Sequence, residues 1–321
     1  MLSLHEVEEA AQVVYAAMPP TAQYAWPLLA KRTGCEVWVK HENHTPIGAF
    51  KVRGGLVYMD RLKRTQPGLK GVVSATRGNH GQSIAVGAAK VGIAATIVVP
   101  QGNSVEKNAA MRAFGAELVE AGHDFDAARD VALRLASDRG LSMIPSFHRD
   151  LVGGVATYAL ELFRGAPALD TVYVPIGLGS GICGVIAMRD ALSPATKVVG
   201  VVSTEAPAYA LSFAAGKVVP TNSANTMADG MAVRGPDAEA LSMILKGADR
   251  IVQVSDDEIG LAMRAYYEDT HQLTEGAGAA ALAALMQERQ RMAGKRVALV
   301  LSGGNIDRPL YLRTLADRGP V

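Results

Sequence analysis

The chain has 321 residues, enough for one large core or for two lobes with a cleft between them. Its 32 Lys and Arg balance 31 Asp and Glu, so the surface lacks the positive excess that draws a protein onto nucleic acid or anionic membranes. Two cysteines, Cys35 and Cys183, are too few for a disulfide framework, and no apolar run approaches the roughly 20 residues that span a bilayer. A cytoplasmic protein without nucleic-acid or membrane partners is expected.

Met1 to Tyr15 carries Glu6, Glu8 and Glu9 and reads as an amphipathic helix, unlike the basic-then-apolar profile of a signal peptide. A strand over Glu36 to Lys40 leads to the first segment that carries chemistry, Glu42 to Gly55, which contains Ala49, Phe50, Lys51, Val52, Arg53 and Gly54. Lys51 follows an aromatic residue at the end of a loop made pliable by Pro46 and Gly48, where a helix begins. Partial desolvation and a positive helix start lower an ammonium's pKa and leave the amine nucleophilic, which a Schiff-base lysine needs. The plainer alternative is a surface lysine opening an ordinary helix. His41 and His44 flank the strand end with no third ligand evident, so a zinc site is not expected.

The next strand, Val72 to Ser74, ends in Thr76, Arg77, Gly78, Asn79, His80, Gly81 and Gln82, ahead of a helix predicted over Ser83 to Lys90. Amides at a helix start, freed by Gly78 and helped by the Thr76 hydroxyl, suit a carboxylate. Simple capping by Asn79 is the alternative. After a strand over Ala95 to Val99, the strand Val172 to Val174 runs into Pro175 to Gly184, where Gly177, Leu178, Gly179, Ser180 and Gly181 form a phosphate cradle by composition. Gly179, Gly181 and Gly184 also satisfy a dinucleotide fingerprint. Glu205, beyond the strand Val198 to Val202, stands roughly 20 residues on, as an NAD enzyme's ribose-binding acid would. Glu275 precedes an Ala-rich helix that it could simply cap. The last strand, Arg296 to Leu301, ends in Ser302, Gly303, Gly304 and Asn305, and the chain stops soon after Asp307, which argues against an appended regulatory module.

Short strands apolar on both faces and separated by helix-length connections give an α/β class with parallel sheets covered by helices. Residues 54–147 are expected to close as a small domain. Residues 1–53 and 148–321 then form the larger one.

Together the four segments resemble the threonine and serine dehydratases, pyridoxal-phosphate enzymes of the tryptophan-synthase-β fold (fold type II) that also include serine racemase. The resemblance runs from Tyr24 to Asp307. It implies a two-domain architecture with the active site in the cleft, pyridoxal 5′-phosphate bound to Lys51, and Phe50 near its ring. It further implies that Asn79 reaches the cofactor's O3′, that Gly177 to Gly181 hold its phosphate, and that Ser302 faces its pyridine nitrogen. Thr76, Arg77, Gly78, Asn79 and His80 would take the carboxylate of an amino-acid substrate, and Glu275, besides its reading as a helix cap, matches a glutamate that relatives keep near the active site. A serine at the pyridine nitrogen leaves it unprotonated and the electron sink weak, which suits prompt elimination over a long-lived carbanion. The implied reaction is β-elimination from threonine, serine or a bulkier analogue such as phenylserine, giving a 2-oxo acid and ammonia, in a homodimer.

Three departures from the family pattern are visible. Ala49 replaces the usual serine. Arg77 stands where serine racemase has its second acid-base serine, which disfavours the alternative of racemisation. Val202 stands where many relatives have a cation-binding glutamate, which makes a divalent-metal requirement doubtful. Arg77 also invites a role in side-chain specificity, against the plainer reading of a solvent-facing arginine. The different-class rival is the NAD-dependent oxidoreductase.

Overall fold

Runs of Val and Ile with no polar alternation need cover on both faces. In the computed structural model, which describes residues 2–316, they form two sheets flanked by helices. The strands are β1 (Gln23–Ala25), β2 (Glu36–His41), β3 (Val72–Ala75), β4 (Ala95–Val99), β5 (Glu117–Glu120), β6 (Ser142–Met143), β7 (Thr171–Pro175), β8 (Lys197–Ser203), β9 (Arg250–Val254) and β10 (Arg296–Leu301). Six of them make one sheet in the order β1-β2-β10-β7-β8-β9, parallel except for β1. The other four make an all-parallel sheet in the order β5-β4-β3-β6. The strands of this second sheet all come from residues 72–143. The main core lies around the six-stranded sheet, with smaller clusters around the four-stranded one.

Two predicted boundaries shift. The N-terminal helix is Leu4–Tyr15, started by a capping box in which Ser3 and Glu6 satisfy each other's backbone amides. The helix after β3 begins at Asn79, four residues ahead of the predicted Ser83, because Thr76 Oγ1 accepts from the amides of Gly78 and Gly81 and so completes the first turn. None of the described helices is long and apolar enough to cross a membrane.

The helix Lys51–Thr65 is clasped between the helices Asn79–Lys90 and Arg149–Gly165. The approach is at backbone distance: a Cβ on Gly154 would lie 2.2 Å from the Arg53 carbonyl, and one on Gly55 2.2 Å from Ser83 Oγ. Within its first turn, Arg53 is fully buried and donates from Nε to Glu42 (2.7 Å) and from Nη1 to Glu161 (2.6 Å). Lys40, equally buried, donates to the same Glu161 at 2.6 Å. Close helix packing and a desolvated ion cluster therefore fix the element that begins with Lys51.

Candidate active site

The loops that follow β3, β7 and β10 meet the start of the Lys51 helix at one pocket. Its lining includes Phe50, Lys51, Asn79, all of Gly177 to Gly181, and Ser302, so the structure brings together residues spread from position 50 to position 302. Thr76, Arg77, Gly78 and His80 are outside this lining.

The Lys51 loop is held by the loop after β10. Ala49 pairs with Gly303 as an isolated bridge, the Phe50 amide donates to the Ser302 carbonyl (3.0 Å), and the Gly304 amide donates to the Gly48 carbonyl (2.9 Å). Thr45 closes the loop from within, its hydroxyl donating to the Ala49 carbonyl at 2.8 Å. Lys51 Nζ sits 4.7 Å from the centre of the Phe50 ring. Burial pulls its pKa down to about 8, against the opposing pull of Glu275. The predicted nucleophilic lysine thus has the desolvated setting that its role needs.

The glycine loop turns through Gly179, whose φ of 101° is left-handed, into the helix Ser180–Leu192. A Cβ on Gly179 would meet the Ala240 Cβ at 2.8 Å, and one on Gly177 would meet the Gly230 carbonyl at 2.4 Å, so side chains have no room on either. The loop is braced from behind by Tyr209, which donates to the Leu178 carbonyl (2.8 Å), and by Tyr158, which donates to the Gly181 carbonyl (2.9 Å) and lies edge-on to Phe50. The result is a backbone cradle at a helix N-terminus, where amides converge on an anion.

In the loop after β3, Thr76 is buried and occupied with the Gly78 and Gly81 amides, while the amides of Asn79 and His80 open the helix. Arg77 is exposed, as in its plainer reading. Burial, and next the charge of Lys51, push the His80 imidazole down to about 3, so that it is neutral near pH 7. Asn79 donates to Glu275 Oε1 and accepts from Asn305, both at 2.8 Å.

Glu275 occupies the N-cap position of the helix Gly276–Gln287 but makes no side-chain cap bond; its carboxylate goes to Asn79 instead. It is buried, Oε2 has no hydrogen-bond partner, and desolvation raises its pKa to about 7. The nearest cation to Oε2 is Lys107, at 3.7 Å, which is itself tied to Asp229. Sequence reasoning missed Lys107 and Asp229. Neither lies in a glycine motif or a strand end, and only the pairing of their two distant segments reveals them. Across Glu275 lies a second cavity, of about 540 Å³, lined by residues that include Lys107, Asp229, Asn305, Asp307 and Arg308.

Residues 16–303 match the family model described as pyridoxal-phosphate dependent enzyme. The chain belongs to the pyridoxal-phosphate-dependent enzyme family. Within that family it is 33% identical over 308 residues to an L-threonine ammonia-lyase of Thermotoga maritima, covering 96% of this chain and 76% of that one. The processed form of threonine deaminase isoform 2 from Solanum lycopersicum superposes with a TM-score of 0.90 at 28% identity, covering 100% of this chain and 95% of that chain. Maize serine racemase superposes with a TM-score of 0.91 at 27% identity, covering 98% and 96%. The expected fold type and the threonine/serine dehydratase family are thereby established for the chain.

The residues present fit the family's cofactor. The cradle at Gly177 to Gly181 excludes side chains and opens on a helix N-terminus, as a phosphate needs, and a desolvated lysine amine lines the same pocket. By contrast, Glu205, the acid that a dinucleotide reading requires, is exposed beyond β8, away from the pocket lining. Val202 is buried within β8, and among the described residues no three His, Cys, Asp or Glu side chains cluster to hold a metal. The rings of His41 and His44 stack at 4.9 Å, and His41 Nε2 is occupied by the Trp26 indole.

Proposed function

We propose that this enzyme is an ammonia-lyase that eliminates the β-hydroxyl of an α-amino acid, threonine, serine or a bulkier analogue such as phenylserine, to yield a 2-oxo acid and ammonia. The observation that carries the reading is the meeting of Lys51, Asn79, the glycine cradle and Ser302 at one pocket. The relatives named as threonine ammonia-lyase and threonine deaminase support the same chemistry. The proposal includes residues 54–147 as a small lobe against the remainder, and a cytoplasmic homodimer.

Bound pyridoxal phosphate supplies an electron sink for the carbon that bears the amino group. Gly177 to Gly181 would hold its phosphate, Ser302 would face its ring nitrogen, and Asn79 would donate to its O3′. Lys51 would hold the cofactor, and its amine would take the Cα proton; burial lowers its pKa to about 8, which raises the neutral fraction near neutrality above that of an ordinary lysine. The helix start at Asn79 and His80 is suited to the substrate carboxylate, and because His80 is neutral the attraction there comes from the backbone amides and not from the imidazole. Space for a large β-substituent would come from the cavity beyond Glu275; Ala49, expected to leave room, is instead fully buried against Gly303 and lines neither cavity. Racemisation fits less well, because the residue at the second acid-base position, Arg77, is exposed, lies outside the pocket lining and offers no hydroxyl there.

Borohydride reduction of the protein loaded with pyridoxal phosphate, followed by peptide mapping, is expected to label Lys51, and Lys51→Ala is expected to lose both the visible absorption and the formation of 2-oxo acid. A label at another lysine would overturn the assignment. Turnover of threonine, serine, phenylserine and 3-hydroxyaspartate, read as 2-oxo acid and ammonia, ranks the substrates.

A further inference from the structure

Asn79 lines the pocket through an amide with one donating and one accepting end, and which end faces inward decides what it can do there. The answer is set outside the pocket. The Ile47 carbonyl can only accept, and it takes a hydrogen bond from Asn305 Nδ2 at 2.7 Å. The same Nδ2 donates to Asn79 Oδ1 at 2.8 Å. Asn79 thereby turns Nδ2 toward the pocket, where one of its hydrogens is donated to Glu275 Oε1 on the pocket wall, again at 2.8 Å, and the second is left for another acceptor.

Asn305 is admitted to this place by Gly48, whose φ is 68° and whose missing Cβ would sit 2.8 Å from Asn305 Oδ1. We propose that Asn305 is a positioning residue that fixes the polarity of the Asn79 amide and so presents a donor, never an acceptor, to the cofactor's phenolic oxygen. The chain of polarity runs from a backbone carbonyl through two side chains to the reacting group. This inference rests on the reading of Asn79 as the partner of O3′.

The test compares wild type, Asn79→Ala, Asn305→Asp and the double variant, each loaded with pyridoxal phosphate and titrated with pH by visible absorption. A carboxylate at position 305 sets oxygen against both Ile47 O and Asn79 Oδ1, so the Asn79 amide turns to donate to it and shows the pocket an acceptor. A donor on the phenolic oxygen draws electron density from it and weakens its hold on the proton shared with the Schiff-base nitrogen. Loss of that donor raises the titration midpoint, by about one pH unit if the bond is an ordinary charge-assisted one.

Asn79→Ala and Asn305→Asp are each expected to shift the midpoint upward, and the double variant no further than Asn79→Ala alone. Additive shifts, or an unmoved midpoint in Asn305→Asp with a displaced one in Asn79→Ala, would sink the proposal and leave Asn305 a structural residue. Should Asn305→Asp not fold, Asn305→Ala, which frees the Asn79 amide without adding charge, is read by the same criterion. A wild-type protein that gains no visible absorption refutes the cofactor reading itself, and the inference with it, an outcome distinct from an unmoved midpoint.

Discussion

Glu275 shows how one residue's setting differs from its local pattern. An acid ahead of Gly276-Ala277-Gly278 looks like a helix cap, yet the carboxylate is buried, bonded to Asn79 and raised to about pKa 7 by desolvation. An acid with a folded pKa above its unfolded one binds more protons in the native state between those two values. Stability therefore falls as pH rises from about 4.5 to about 7 and is level beyond. Glu275→Gln, which imitates the protonated form, is expected to gain stability relative to wild type across that window, seen as diverging urea midpoints at pH 5 and pH 7.5. Parallel pH profiles for the two proteins would mean that Glu275 does not titrate there. What sequence shows at this scale is chemistry that depends on neighbours in the chain: Lys51 after Phe50, Asn79 after Gly78. Lys107 and Asp229 escape because their significance lies in a contact between segments 122 residues apart.

At the scale of elements, the glycine loop is the part in which composition dictates geometry most directly. Gly179 turns through a left-handed φ with Ala240 and Tyr209 against its Cα, so an alanine is strained twice, by the backbone and by the contact. The backbone cost alone is about 1–2 kcal/mol. Gly179→Ala is expected to weaken pyridoxal-phosphate binding at least about tenfold, read by titrating the apo-protein and following visible absorption. Gly216→Ala is the control, since Gly216 also has a left-handed φ, of 67°, but opens on empty space away from the pocket. Equal losses in the two variants would show strain without any role for the cradle.

The strands divide along a similar physical line. The six read from the sequence, β2, β3, β4, β7, β8 and β10, are the six interior strands of the two sheets, where burial on both faces favours apolar runs, most fully in β4 and least in β2, whose Glu36 is exposed. The unread ones, β1, β5, β6 and β9, are the four edges. Edge strands are partly wet, as the exposed positions of Tyr24, Glu117 and Gln253 show, and polar residues interrupt their apolar stretches, as Gln253 does after Ile251 and Val252.

At the scale of the whole molecule, the position of Lys51 depends on a charge cluster that local pattern cannot reveal. Arg53 joins Glu42 at the end of β2 to Glu161 in the middle of the helix Arg149–Gly165, 108 residues away, with Lys40 sharing Glu161 and Thr21 and Thr157 filling the remaining bonds. The carboxylates hold Arg53 charged despite its burial, whereas burial pulls the Lys40 pKa down and Glu42 and Glu161 oppose that only in part. Such a cluster contributes little net stability over an apolar core, but a member left alone has neither water nor partner. Arg53→Met keeps the apolar stem of the side chain but removes the guanidinium, leaving Glu42, with no solvent exposure, the Thr21 hydroxyl as its one hydrogen-bond partner and Lys40 as its remaining counter-charge. A loss of about 3–5 kcal/mol in unfolding free energy is expected, measured by urea denaturation with an unchanged m-value. Adding Glu42→Leu to that variant removes the stranded charge and should recover part of the loss. A cost below about 1 kcal/mol for Arg53→Met is the range of an exposed ion pair. It would mean that water reaches the cluster and that the helix bearing Lys51 is held by packing at Gly54, Gly55 and Gly154 alone.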